Sequence, residues 1–117
     1  MVRLSRSGLL LAVALVSPAL APAAAHKSAN GWEYPPSCCS GDRAAGDCQM
    51  IDPRSVSESP GGYIVVLGPG DHRLVTRPQR YRIPYGQEIT SPDGNYHICL
   101  YPTQEVAFCF FAPPGAV

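Results

Sequence analysis

The chain has 117 residues, nine basic and nine acidic side chains, five cysteines and thirteen prolines. That length is one domain, and the even charge balance excludes bulk electrostatic attraction to nucleic acid. No G-x-S-x-G, H-E-x-x-H, P-loop or close carboxylate pair is present, so the common hydrolase and nucleotide-binding chemistries find no support.

The first quarter reads as a secretory leader. Arg3 and Arg6 supply a charged start, Gly8 to Val16 an apolar run too short to span a bilayer, and Ser17 to Ala25 a small-residue tail. Small-x-small cleavage fits after Ala23 or after Ala25, and Ala25 is preferred. The expected organisation is therefore a signal peptide over 1–25, an extended lead-in over 26–37 and one disulfide-stapled β domain over 38–117. Removing 25 residues leaves 92, with seven basic against nine acidic side chains and no membrane span. Such a domain buries too little surface for a core alone to hold it firmly. Export places it in an oxidising compartment, periplasmic or secreted, where five cysteines act as staples.

In the lead-in, Trp32 and Tyr34 share a face if the chain is extended. They either pack over the core edge or form a ligand platform. Cys38 to Cys48 is a loop rich in Gly, Asp and Ser. Gln49 to Ile51 reads as a short strand, and Asp52-Pro53 starts a turn. Val56 to Glu58 is a helical turn or a strand end. Gly62 to Leu67 is the clearest strand. Gly68-Pro69-Gly70-Asp71 carries a type II turn signature, after which His72 to Arg77 is expected to return as its hairpin partner. Tyr81 to Ile83 is a short strand, with Arg80 and Arg82 on the opposite face from Tyr81 and Ile83. Ser91 to Asn95 is a turn with Gly94 in the left-handed position. Tyr96 to Tyr101 and Val106 to Phe111, separated by Pro102 to Glu105, form the central hairpin. No helix longer than about a turn is expected. The fold class is all-β: a small antiparallel sheet, sandwich or partly open barrel of five to six short strands.

Five cysteines give two bridges and one leftover. Cys38 and Cys39 are adjacent, point to opposite sides and take different partners. The hairpin register decides whether Cys99 and Cys109 share a face. A four-residue loop sets Cys99 opposite Phe108, whereas a three- or five-residue loop allows Cys99 to face Cys109. The favoured pattern bonds each of them back to the Cys38–Cys48 loop. A bridge such as Cys39 to Cys99 closes about 60 residues and contributes roughly 4 kcal/mol. The leftover cysteine is expected among Cys38, Cys39 and Cys48, with a covalent dimer as one outcome.

Three groups bear on binding. Arg73, Arg77, Arg80 and Arg82 form the main charge cluster, suited to an anionic headgroup, polysaccharide or partner, or else a solvated edge. His97 and Cys99 lie two apart on one strand face. His26 at a new N-terminus joins an amine to an imidazole, a combination suited to copper. With an unpaired cysteine, His26 and His97 define a copper- or zinc-binding or thiol-active alternative.

Trp32-Glu33-Tyr34-Pro35, Cys38-Cys39-Ser40, Asp47-Cys48, Ser91-Pro92-Asp93-Gly94 with His97 and Cys99, and Cys109-Phe110-Phe111 occur together. In this order they resemble a group of small, secreted, cysteine-containing proteins of rhizobia and other alphaproteobacteria. The resemblance spans nearly the whole mature chain, with Arg43-Ala44-Ala45 lengthening the loop before Cys48. It implies a bacterial periplasmic or secreted location and no particular activity. The leading expectation is a non-catalytic β domain, periplasmic or secreted, that binds an envelope component or partner.

Overall fold

The computed structural model describes residues 12–17, 27–39 and 47–115. His26, Arg43-Ala44-Ala45 and most of the leader lie outside the described residues. Among the described residues seven strands follow in order: β1 Cys48–Met50, β2 Val56–Ser59, β3 Gly62–Leu67, β4 Gln79–Pro84, β5 Ile89–Thr90, β6 His97–Leu100 and β7 Ala107–Ala112. Pro36–Cys38 and Pro53–Ser55 are single 3₁₀ turns. Asp52 caps the second by accepting from the Arg54 backbone N–H at 2.8 Å, which is the Asx-Pro chemistry expected there.

The strands make two sheets, ordered β1-β6-β7-β5 and β2-β3-β4. All pairings are antiparallel except β5 with β7, which is parallel. The fold is thus a small all-β, disulfide-stapled domain and not a closed barrel. Between the sheets lie Tyr63, Val65, Leu67, Tyr81 and Ile83 from one side and Ile98, Leu100, Phe110 and Ala112 from the other. On β4 the alternation is clean, with Tyr81 and Ile83 buried and Arg80 and Arg82 exposed. The other face of that sheet is mostly solvated, with Val66 exposed and Ile64 its buried exception, as in a half-solvated antiparallel sheet.

β6 behaves differently: His97, Ile98, Cys99 and Leu100 are all buried. Ile98 and Leu100 face the second sheet. His97 and Cys99 face a second cluster of Tyr34, Cys38, Cys48 and Phe111, with Trp32 packed against it. The four-stranded sheet is therefore covered on both faces, and the lead-in is its second cover.

Several expectations need correction. His72 to Arg77 is not the return strand, because β3 pairs with β4, Leu67 lying opposite Gln79. The type II geometry itself is present: Gly70 has φ +93 and the Asp71 N–H donates to the Gly68 carbonyl at 3.1 Å. The chain then curls inward at His72, whose Nε2–H reaches the carbonyls of Asp47 at 3.2 Å and Ile98 at 3.3 Å. Its Nδ1 accepts from the Leu74 N–H at 3.1 Å. Burial, seconded by the Arg73 charge, pushes the His72 imidazole below its usual value, against the two carbonyls. A neutral ring tying this loop to β6 and to the residue before β1 has displaced the strand pattern. The lead-in is not extended either. It folds back through a turn at Ser28–Gly31, with Gly31 at φ +88 and Lys27 bridged to Glu33. β5 went unread because two residues carry too little pattern.

The hairpin register combines both alternatives. His97, Ile98 and Cys99 pair with Phe111, Phe110 and Cys109, but Leu100 pairs with Ala107. The shift falls at Phe108, the extra residue of a β-bulge.

Candidate functional site

Direct cross-strand partners share a face. Cys48 pairs with Cys99 and Cys99 with Cys109, so three cysteines line up on the lead-in side of the sheet. The bridges are Cys38–Cys109 and Cys48–Cys99. Both hairpin cysteines thus bond back to the Cys38–Cys48 segment, and Cys39 is the cysteine outside the bridges. Its Sγ lies 3.9 Å from Cys48 Sγ. Cys39, Asp47 and Cys48 are also the one trio among the described residues whose donor atoms cluster within metal-binding distance. Cys48 spends its sulfur in a bridge, and metals prefer thiolates, so the trio offers one thiol and one carboxylate.

Asp93 is the polar hub. Its Oδ2 accepts from Asn30 Nδ2 and Trp32 Nε1, both at 2.9 Å. Its Oδ1 accepts from Ser91 Oγ at 2.9 Å and the Asn95 N–H at 3.0 Å. His97 Nε2 donates to both oxygens, at 2.9 and 3.0 Å. Burial alone would raise the Asp93 carboxyl, but donation from Trp32, Asn30, His97 and Asn95 outweighs it and holds the group well below the usual carboxylate range. A carboxylate is acceptor-only, so His97 presents Nε2–H to it and Nδ1 is left to accept from Tyr34 OH at 2.8 Å. Burial, then the Asp93 charge, push the Tyr34 phenol far up, which keeps it a donor. Trp32, Tyr34, His97 and Phe111 pack edge to face or tilted around this chain, with ring centroids 4.7 to 6.2 Å apart.

An Asp–His–Tyr series of this kind has the connectivity of a proton relay. Its members are closed off, however: His97 is 0% and Tyr34 1% exposed. Both ring nitrogens of His97 are engaged, so it binds a metal only by giving up Asp93 or Tyr34. The network's evident work is to fasten the lead-in to β6.

Beside the fastened lead-in lies a cleft of about 370 Å³, lined among the described residues by Lys27, Ser28, Ala29, Tyr34, Cys48, Gln49, Met50 and Arg73. Its walls come from the lead-in, from β1 and from the turn after His72. Arg73 is held there by Nη2 donating to the Cys48 carbonyl at 2.9 Å. Gln49 accepts from the Arg73 N–H at 3.0 Å and donates to the Asp71 carbonyl at 3.3 Å.

The basic cluster does not assemble. Arg73 joins the cleft, Arg77 pairs with Glu105, and Arg80 and Arg82 lie on the outer face of β4. Of the aromatic pair, Tyr34 is buried and Trp32 half-buried, so they are not an open platform. Lys27, Ser28, Asn30, Gln49 and Asp93 were not singled out as site residues by the sequence. Asp93 stood four residues before His97 inside a recognisable turn, and that spacing was the available signal. No protein-family model, curated protein or solved structure matches the chain.

Proposed function

We propose that this chain is a non-catalytic binding domain that works outside the cytoplasm, periplasmic or secreted, and takes an envelope component or partner into the cleft beside the lead-in. The observation that carries this reading is the cleft itself: three separate segments form its walls, and a bridge and a buried polar hub fix them. Pre-formed concavities with a few convergent polar groups are where small ligands bind. Two disulfides are compatible with an oxidising compartment, and no helix among the described residues is long and apolar enough to cross a membrane. The polar network supports binding over catalysis, since its acid–base groups are already committed to one another.

The test is a titration of mature protein with fractionated envelope glycan, peptide and lipid headgroups, followed by backbone amide NMR. Saturable shifts should confine themselves to residues 27–34, 48–50 and 72–74. Turnover of any fraction, or saturable binding mapped only to the outer face of β2-β3-β4, would overturn the assignment. Edman sequencing of exported protein should begin at His26, and retention of Met1 would end the extracytoplasmic reading.

A second reading, thiol activity, is favoured by one observation: Cys39 Sγ sits 3.9 Å from a bridged sulfur. A thiol so placed is set to exchange with the Cys48–Cys99 bridge. Incubation with oxidised glutathione should then yield a mixed disulfide at Cys39; mass mapping that finds none rules this out.

A further inference from the structure

We infer that the open edge of β4 takes an extended acidic segment of a partner protein as an added antiparallel strand, with carboxylates two residues apart against Arg80 and Arg82. This is a second site, separate from the cleft and independent of what the cleft binds.

Among the described residues the sheet orders place β1, β5, β2 and β4 at edges, with three, two, four and six residues. Backbone N–H and C=O groups along an edge are a template for another chain, and β4 is the longest such edge. The phase of its ladder says which groups are open. Gly62 lies opposite Pro84 on antiparallel β3 and β4, which sets Gly61 opposite Tyr85. The Tyr85 N–H donates to the Gly61 carbonyl at 3.2 Å, so those two are a hydrogen-bonded pair. Such pairs alternate with non-bonded ones along an antiparallel ladder. Tyr81 and Ile83 therefore turn their backbone groups to β3, and Arg80 and Arg82 turn theirs outward. Pro84, the next residue in that phase, has no N–H, and its carbonyl accepts from the Gln87 N–H at 3.1 Å. Pro78 bounds the window at the other end, also without an N–H. The window is the N–H and C=O of Arg80 and of Arg82.

The same two residues supply the charge that chooses the occupant. Both side chains are exposed on the outer face, and among the described residues no ion pair reaches either guanidinium. Directly opposite residues of an antiparallel pair share a face. Two residues of an added strand, two apart, therefore bring their side chains against Arg80 and Arg82. Asp or Glu at both places meets each guanidinium through charge-assisted hydrogen bonds, whereas Lys or Arg there meets repulsion. The same rule turns away a second β4. Any antiparallel pairing of β4 with itself in this phase sets an arginine opposite an arginine, and like charges face to face are destabilising. An anionic glycan brings the charge but not alternating N–H and C=O groups at strand spacing. An acidic peptide segment brings both.

The experiment uses mature, oxidised protein, amide NMR and hydrogen exchange. The probe is the end-capped peptide Thr-Glu-Val-Glu-Thr, beside an analogue with Gln at both Glu positions and one N-methylated at both. The Glu peptide should shift amides of residues 79–84 saturably. At saturation it should slow exchange of the Arg80 and Arg82 amides about tenfold or more, while Tyr81 and Ile83, already bonded to β3, change little. The Gln analogue should bind about fivefold weaker, having lost two exposed charge pairs. The N-methyl analogue, which keeps the charge and loses the donors, should bind about tenfold weaker. Replacing both exposed arginines, Arg80→Gln with Arg82→Gln, should leave the melting midpoint in place and bring the Glu and Gln peptides to equal affinity. Equal binding of those two peptides by the unaltered protein overturns the acidic occupant, and so does a bound Glu peptide that leaves the Arg80 and Arg82 amides unprotected. Oligogalacturonate binding as tightly as the Glu peptide assigns the arginines to an anionic glycan and overturns the added strand. Protection of both amides without peptide, rising with protein concentration, gives the edge to a second copy and overturns it too. Cleft ligands are read at residues 27–34, 48–50 and 72–74, so either site can fail alone.

Discussion

Asp93→Asn is the substitution that most directly tests how the lead-in is held. The change keeps shape and volume, so packing is unaltered, but it replaces one acceptor oxygen by a donor. If Oδ2 is replaced, Asn30 Nδ2 and Trp32 Nε1 face an N–H₂ group; if Oδ1 is replaced, the Asn95 N–H and Ser91 Oγ do. His97 Nε2 loses its charged partner either way. Each hydrogen bond to a charged acceptor is worth about 1.5–3 kcal/mol. Two such losses, less than additive in one network, come to about 3–5 kcal/mol, against a total stability of roughly 5–15 kcal/mol. At about 4–8 °C per kcal/mol, the midpoint should fall by some ~12 °C or more. Trp32 is the sole tryptophan, so its emission should shift red at or before global unfolding. The pH dependence has a definite sign. The folded Asp93 carboxyl lies below its unfolded value of about 3.9, so its contribution is complete above that value and is lost as the pH falls towards the folded one. The gap between wild type and variant should therefore be full at neutral pH and close through acid. Equal midpoints at pH 7, or a gap that widens in acid, would refute the hub.

Gly62→Ala should be among the worst single changes: its Cβ would meet the Ile83 carbonyl oxygen at 2.1 Å on a backbone with φ +155, adding backbone collision to about 1–3 kcal/mol of strain. Gly31→Ala, with nothing within 4 Å, should cost less when both variants are titrated with urea, and equal costs would contradict the β3–β4 approach. Reduction should lower the melting midpoint by tens of degrees, since loops of 71 and 51 residues each give roughly 4 kcal/mol by chain entropy; an unchanged melt would mean the bridges are not staples. Iodoacetamide on unreduced protein should label Cys39, and label on Cys99 or Cys109 would contradict the pairing.

What could be read from the sequence was what short range determines. The turns at Gly68–Asp71 and Ser91–Asn95 follow from Pro and Gly chemistry, and β3 and β4 from β-branched and alternating residues. That both hairpin cysteines bond back to the Cys38–Cys48 segment was expected, but the face arithmetic of the hairpin left its register open, and the observed register sets Cys99 opposite Cys109. The His72 segment was misread because its alternation resembles a strand, while what decides its path is one imidazole reaching two carbonyls, 25 and 26 residues away in sequence. Beyond the Asp93–His97 spacing, the hub was illegible for a similar reason. Asn30 and Trp32 meet Asp93 across 63 and 61 residues, and a lone Asp in a turn already has a sufficient local role.

The same distance explains why the cleft depends on the lead-in's attachments and not on any one strand. Segment 27–34 has little core of its own; it is held by Asp93 at one end and, through Cys38, by Cys109 at the other. β6 has given both its faces to burial to permit this, one to the second sheet and one to the lead-in. Met50 and Gln49 stay on the β1 strand whatever the lead-in does, but Lys27 and Ser28 reach the cleft only while it is docked. The lead-in wall of the cleft is thus conditional on a carboxylate and a disulfide; the Asp93 carboxyl, held well below the usual carboxylate range, stays charged even in mild acid, so the bridge is the attachment that depends on an oxidising environment.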